Sequence, residues 1–197
     1  MRGFVVFAVM AETATCLKGR IMGYNTTSVF FHWVTAVWVI TMMILGIIFS
    51  DMSFRDPLYL PLSAAHLTLG LFGLVFFPIR VVRRLMRGFS PHPEHHIIER
   101  IAARAVQYVF MILLIIVPIT GLIVVLADGG WSIIFGIELP AVYALGGLYD
   151  IASDGHDVLT KVLAGAMFLH IAGAIKHAVI DRDDTLTDIV KPTEGGR

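Results

Sequence analysis

Residues 157–177, DVLTKVLAGAMFLHIAGAIKH, decide the class of fold that this sequence can adopt. With the three residues that follow, the stretch is long and apolar enough to cross a bilayer, which takes roughly 20 residues of α-helix. His170 and His177 lie on one face of such a helix, because seven residues are close to two turns. The sequence therefore predicts a membrane span that carries two imidazoles on one stripe.

Three further apolar runs of similar length precede this one. They are residues 31–49, 64–82 and 105–127, and the last span is predicted over residues 158–180. The chain of 197 residues is 57% apolar and 15% charged, against about 25% charged in an ordinary soluble domain. We therefore expect an all-α integral membrane protein, a four-helix bundle whose helices run up, down, up and down through a lipid bilayer.

Charge is distributed unevenly between the connections. The N-terminal segment and the second connection carry Arg2, Lys18, Arg20, Arg80, Arg83, Arg84, Arg87, Arg100 and Arg104. The first and third connections carry one basic residue, Arg55, together with the acids Asp51, Asp56, Asp128, Glu138, Asp150 and Asp154. The positive-inside rule predicts that both termini are cytoplasmic.

Charge balance and cysteine content narrow the class further. The formal net charge is zero, so no nucleic-acid partner is indicated. A single cysteine, Cys16, permits neither an internal disulfide nor a thiolate cluster. Residues 1–23 are predicted to be an extension outside the fold, with Met22 as an alternative start, and residues 24–190 are predicted to form the bundle, followed by a tail at 191–197.

Five of the eight histidines lie in or beside the spans, where ionisable side chains are costly and usually functional. His32 is predicted at the inner end of span one, His66 at the outer end of span two, and His156 at the outer start of span four. His170 lies deep in span four, on the face of His156 and about 21 Å along the axis. An antiparallel bundle can therefore form one histidine pair near each membrane face.

Two neutral imidazoles on opposite sides of a gap suit a six-coordinate haem iron, which transfers electrons rather than binding oxygen. A zinc or di-iron site would want carboxylates or more histidines in the same layer, and the spans offer none. A membrane protein with structural histidines and no cofactor remains an open alternative at this point. The loop histidines have no predicted role; they are His92, His95 and His96.

Small residues in the spans can leave room for a macrocycle. Gly46 follows His32 by fourteen residues on the same helix face, and Gly70 follows His66 by one turn. We expect Gly46 to form a wall of a cofactor site, with Gly70 beside the other ligand. Close helix packing is the alternative explanation for each glycine.

Four stretches together resemble the bacterial cytochrome b561 family of small membrane cytochromes. They are FFHWVTAVWVI, AAHLTLGLFGLVFFPIRVVRRL, ERIAARAVQYVFMILLIIVPITGLIVV and GHDVLTKVLAGAMFLHIAGAIKHAVIDRDDTL, and the resemblance spans residues 24–189. It implies a bacterial inner-membrane protein with two haems b. The inner haem would be ligated by His32 and His170, and the outer haem by His66 and His156.

The resemblance also implies a function. Better-studied members are superoxide:quinone oxidoreductases, so superoxide at the outer face is the expected donor and ubiquinone in the membrane the expected acceptor. Other relatives are haem subunits without their own activity, which pass electrons between quinone and a partner such as a cytochrome c or a dehydrogenase. The acidic outer connections would repel superoxide and suit a basic protein partner.

Basic residues near the predicted haems have two interpretations each. Lys161, five residues after His156, can guide an anion or bind a haem propionate, or it can place its amine at the membrane interface. Arg80 and Arg84 are expected to bind propionates of the inner haem, because guanidinium binds carboxylate bidentately. The positive-inside pattern accounts for both arginines without such a role.

His177 is the predicted residue for quinone or proton handling, since imidazole titrates near neutral pH. Pairing His156 with His177 would place the ligands about 31 Å apart along the helix, which is a poor distance for electron tunnelling. His170 is therefore the expected inner ligand, and His177 lies beyond it. Gln107 occupies a position where relatives often have histidine, which is a departure from the family pattern.

Overall fold

Four long helices dominate the computed structural model, which describes residues 26–87, 97–128, 130–132, 138–140, 142–183 and 185–190. They are α1 (Thr26–Ser50), α2 (Tyr59–Arg87), α3 (Ile97–Ala127) and α4 (Tyr149–Lys176). Each is long and apolar enough to cross a membrane. The predicted all-α four-helix membrane bundle is confirmed. The proposed N-terminal extension, Met22, the loop histidines and the C-terminal tail lie outside the described residues.

Helix α4 begins well before its apolar run. It starts at Tyr149, so His156 lies about two turns inside the helix rather than at its start. Asp150 lies in the first turn, where a carboxylate is favourable against the positive end of the helix dipole. The polar residues 150–157 therefore continue the helix beyond the segment that hydropathy alone predicts.

The third connection contains regular structure that the sequence did not predict. Strand β1 (Gly130–Ser132) pairs antiparallel with β2 (Glu138–Pro140), and a 3₁₀ helix (Tyr143–Leu148) leads into α4. The amide of Val142 donates to the carbonyl of Leu126 at 2.8 Å, which ties the connection back to α3. Three-residue strands are too short for an alternating pattern to be recognised.

The helices pack mainly in chain order, and one side of the bundle is loosely packed. Helix α1 packs along α2, α2 along α3 and α3 along α4, whereas the packing of α1 against α4 is much sparser among the described residues. The buried core is small and includes Val29, Phe77, Leu113, Leu114 and Leu163. Most large apolar side chains face outwards, as expected where the surrounding solvent is hydrocarbon.

The two ends of the bundle differ in charge. The arginine end, where α2 ends and α3 begins, carries Arg80, Arg83, Arg84, Arg100 and Arg104. The acidic end, formed by the other two connections, carries Asp51, Asp56, Asp128, Asp150 and Asp154.

A C-terminal segment closes back over the arginine end. A π-helical turn (His177–Asp181) follows α4, and Arg182 adopts a left-handed conformation with φ of 55°. The chain then enters the short helix α5 (Thr185–Val190). The indole nitrogen of Trp33 donates to the carbonyl of Ile189 at 3.0 Å, so this segment is attached to α1.

Candidate functional site

The structure contains two pairs of imidazoles, one toward each end of the bundle, and the two rings of each pair face each other. The ring centroids of His32 on α1 and His170 on α4 lie 6.1 Å apart with an interplanar angle of 53°. Those of His66 on α2 and His156 on α4 lie 6.4 Å apart at 81°. The structure thus brings together the four histidines singled out in the sequence, in the pairs that the family resemblance implied.

The spacing within each pair suits a single metal ion between two rings. Two metal–imidazole bonds of about 2 Å each, added to the distance from each nitrogen to its ring centre, place the centroids about 6 Å apart. No hydrogen bond within the described chain joins the two rings of either pair. His32 and His170 also face each other between α1 and α4, where the helices pack loosely. The donor set and the distance between the rings both fit a bis-histidine haem iron.

The ring of His156 is fixed by helix α3. Its Nδ1 lies 3.0 Å from the carbonyl oxygen of Val117 and 3.2 Å from the hydroxyl of Thr120. The Thr120 hydroxyl donates to the same carbonyl at 2.8 Å. Nδ1 therefore carries the proton and donates it, which leaves Nε2 with a free lone pair for a metal. Sequence reasoning missed both partners, although a lone threonine in an apolar span was an available signal.

The ring of His66 is held by packing rather than by hydrogen bonds. Its Nδ1 is buried and has no hydrogen-bond partner of good geometry among the described residues, and the backbone of Met42 lies close to the ring. Phe49 contacts the ring edge to face with centroids 5.2 Å apart. The two ligand candidates at the acidic end therefore differ, because only His156 has its tautomer set by a hydrogen bond.

Two glycines contact the paired rings directly. A Cβ atom built on Gly46 would lie 3.3 Å from Cε1 of His66, and one on Gly121 would lie 3.1 Å from Cε1 of His156. Gly46 therefore lies beside the pair formed by His66 and His156, toward the other end of α1 from His32. Gly121 was not among the predicted site residues. Gly70 faces the side chain of Met42 instead, with 3.7 Å from a built Cβ to the methyl carbon.

A partly buried arginine accompanies the pair nearer the arginine end. Arg80 donates from Nη1 to the hydroxyl of Thr35 at 3.0 Å, and its charge acts on both His32 and His170. Arg84 reaches Gln107 with a long contact of 3.4 Å between Nη2 and Oε1. Gln107, the departure from the family pattern, therefore interacts with a predicted propionate-binding residue.

Lys161 and His177 lie outside both pairs. The ammonium of Lys161 pairs with Asp157 at 2.7 Å, and its side chain is 74% exposed. His177 places Nδ1 2.8 Å from Asp183 and 3.0 Å from Asp181 at the arginine end. Asp181 also accepts from Lys176 at 2.6 Å. His177 therefore belongs to a charged cluster at the arginine end, beyond the pair formed by His32 and His170.

A four-helix membrane bundle with an imidazole pair toward each end is typical of membrane cytochromes. The family model for prokaryotic cytochrome b561 matches residues 23–192. Cytochrome b561 homolog 2 of Escherichia coli (strain K12) is 32% identical over 166 residues, which are 83% of this chain and 88% of that protein. The chain belongs to the prokaryotic cytochrome b561 family.

Family membership confirms the recognition made from the four sequence stretches. The protein is a multi-pass inner-membrane protein of electron transport, and its family binds haem b. Haem b, when bound, supplies a one-electron redox centre whose potential depends on its axial ligands and their surroundings.

Proposed function

We propose that the protein transfers single electrons between a donor at the outer face and quinone in the membrane, using two haems b. His32 and His170 would ligate the inner haem, and His66 and His156 the outer haem. The observation that carries this proposal is the spacing of the two pairs, 6.1 and 6.4 Å between ring centroids. The arginine end is taken as cytoplasmic, which places both termini inside.

The surrounding residues have distinct tasks in this proposal. Val117 and Thr120 hold His156 in the tautomer that leaves Nε2 available. The bond from Arg80 to Thr35 uses one of the five N–H donors of the guanidinium, so others remain for a haem propionate. Arg84 has the same proposed role. Gly46 leaves room for the His66 ring, whose Cε1 would lie 3.3 Å from a Cβ at that position, whereas Gly70, one turn from His66, faces Met42.

His177 is the proposed proton-handling residue at the quinone end. It shares the arginine end with the inner pair, and two carboxylates hold its ring. We expect His177→Gln to slow quinone reduction by roughly tenfold or more, because a positioned acid–base group is lost. The measurement is steady-state quinone reduction by purified protein. The control is its haem content, which should equal that of the wild type. An unchanged quinone rate would remove His177 from the mechanism.

Superoxide is the donor that family resemblance supports, and Lys161 is the residue proposed to guide it. The pairing of Lys161 with Asp157 limits this guidance, because the two charges offset each other locally. The acids of the acidic end would otherwise repel an anion. A second candidate function follows from this charge: a haem-bearing subunit that docks a basic electron-transfer protein at the acidic end and has no turnover alone.

Ionic strength separates the two donors. We expect superoxide-driven ubiquinone reduction to become faster as salt rises, because screening weakens the repulsion between the anion and the acidic end. Lys161→Glu makes the acidic end more negative by two charges, so it should lower the rate at low salt several-fold. Met86→Glu adds one negative charge at the arginine end instead; it is the control for added charge and should leave the rate unchanged.

The same experiment tests the second function. Electron transfer with a basic cytochrome c should instead become slower as salt rises, because opposite charges are screened. If superoxide drives no quinone reduction at any salt concentration while the cytochrome c reaction is fast, the protein is the docking subunit. If neither donor reduces the bound haem, the proposal of an outer-face donor is wrong.

A further inference from the structure

We infer that the head group of the membrane quinone binds in a groove on the lipid-facing side of α1 and α2. The groove has a volume of about 470 Å³ and is lined by Trp33, Val34, Val37, Trp38, Thr41 and Leu69. Its size lies within the range of small-molecule sites. The inference rests on the proposed function, because it assigns a location to the quinone that the proposal requires.

The position of the groove relative to the inner histidine pair is the first argument. Trp33 is the neighbour of His32, and their rings make an edge-to-face contact with centroids 5.4 Å apart. A flat ring beside Trp33 is therefore one side chain away from a proposed haem ligand. None of the four paired histidines lines the groove itself, so the contact of Trp33 with His32 is its link to a pair. A ligand in this groove would thus exchange electrons with the inner site.

The shape of the groove along the bilayer is the second argument. Trp33 lies toward the arginine end, and Thr41 lies eight residues further along α1, about 12 Å away along the axis. Leu69 borders the groove from the middle of α2. The groove therefore runs from the level of His32 toward the bilayer centre. An amphiphile with a redox ring at one end and a long apolar tail fits this direction.

The chemistry of the lining is the third argument. Two indole rings offer flat surfaces for stacking, and aromatic contacts contribute beyond their buried area. The Trp38 ring also stacks on Phe76 with centroids 5.3 Å apart and 11° between planes, so it is rigidly held.

The groove also adjoins the segment that carries the proposed proton-handling residue. The other indole in the lining, Trp33, donates to the carbonyl of Ile189 in α5. Helix α5 follows directly after the turn that contains His177, Asp181 and Asp183. The end of the groove nearest the inner pair therefore adjoins the C-terminal segment. Protons for a reduced quinone would reach it from the charged cluster at this end.

Groove-filling variants test the assignment. Val37→Phe places a larger side chain inside the groove. Ile40→Phe is the control, because Ile40 is a nearby position of α1 that does not line the groove. Both positions are exposed, Val37 by 62% and Ile40 by 40%. With decylubiquinone as the probe, we expect Val37→Phe to raise the quinone KM at least about tenfold. Ile40→Phe should behave as the wild type, and both should retain the wild-type haem content.

A binding measurement makes the test independent of turnover. An azido-ubiquinone photolabel should attach to residues 33–41, and unlabelled decylubiquinone should displace it. Val37→Phe should weaken the competition about tenfold, in line with its expected effect on the quinone KM. Labelling elsewhere, or displacement by phosphatidylcholine as effective as that by quinone, would overturn the inference.

The failure of the inference differs from the failure of the proposed function. If wild-type protein reduces decylubiquinone while Val37→Phe is unaffected and the label maps to another segment, the groove is not the site although the function stands. If the haem of wild-type protein exchanges no electrons with decylubiquinone and no label binds, both the quinone function and this site are wrong.

Discussion

Replacing His66 with alanine is expected to lower the haem content from two per chain to one, and His170→Ala should do the same at the other pair. Each substitution removes one of two imidazoles whose ring centroids lie 6.4 or 6.1 Å apart. An iron that keeps one protein ligand loses affinity and its six-coordinate low-spin character. Haem per chain is measured by the pyridine haemochrome method on purified protein, together with the reduced-minus-oxidised spectrum.

The residual spectra distinguish the two sites. His66→Ala should retain the haem beside Arg80, and His170→Ala should retain the haem beside Gly46, so the remaining α-bands and midpoint potentials should differ between variants. His177→Ala is the matched control, because it removes an imidazole from the same stretch of chain that belongs to neither pair. Two haems remaining in both His66→Ala and His170→Ala would contradict the ligand assignment.

The second large effect is expected from the glycines that touch the acidic-end pair. A Cβ on Gly121 would lie 3.1 Å from Cε1 and 3.3 Å from Nδ1 of His156, so the two methyl groups of valine cannot be accommodated with the ring in place. Gly121→Val should displace His156 from its bond to Val117 and reduce the haem content toward one per chain. Gly46→Val should act in the same way through His66.

Gly165→Val is the matched control for both variants. It places the same β-branched side chain in a membrane helix, but nothing lies within 4 Å of a Cβ built there. We expect it to retain two haems. Gly121→Ala should give an intermediate result, with haem retained and an altered low-spin electron paramagnetic resonance signal, because the ring must move by a few tenths of an ångström. Two haems with an unchanged signal in Gly121→Val would show that the ring is not confined there.

Much of the fold was predictable because the thickness of a bilayer sets the length of an apolar run that must span it, and such runs can be counted along the sequence. A run of about 20 apolar residues must form a helix whose backbone bonds are satisfied internally, so the four spans were found from residues 31–180 alone. The same rule failed at the helix ends. Helix α4 begins at Tyr149 because polar residues can continue a helix into water, and the ribbon of β1 and β2 has strands too short to recognise.

The depth of each histidine was likewise a property of the sequence. The spacing of His156 and His170 placed one imidazole toward each face on a common stripe, since the rise and turn of a helix are constant. Depth alone did not show which atoms surround each ring. The hydrogen bonds from His156 to Val117 and Thr120 depend on how α3 is rotated against α4, and no periodicity reports that rotation.

The sequence by itself therefore determined the number of spans, their order and the level of each imidazole, because these follow from hydropathy and helix geometry along one chain. The tertiary structure decided which residues meet across helices: Gly121 against His156, Arg80 against Thr35, and the groove beside Trp33. Such contacts depend on helix rotation, crossing and side-chain rotamers. Those variables are set by packing between segments that lie far apart in the chain.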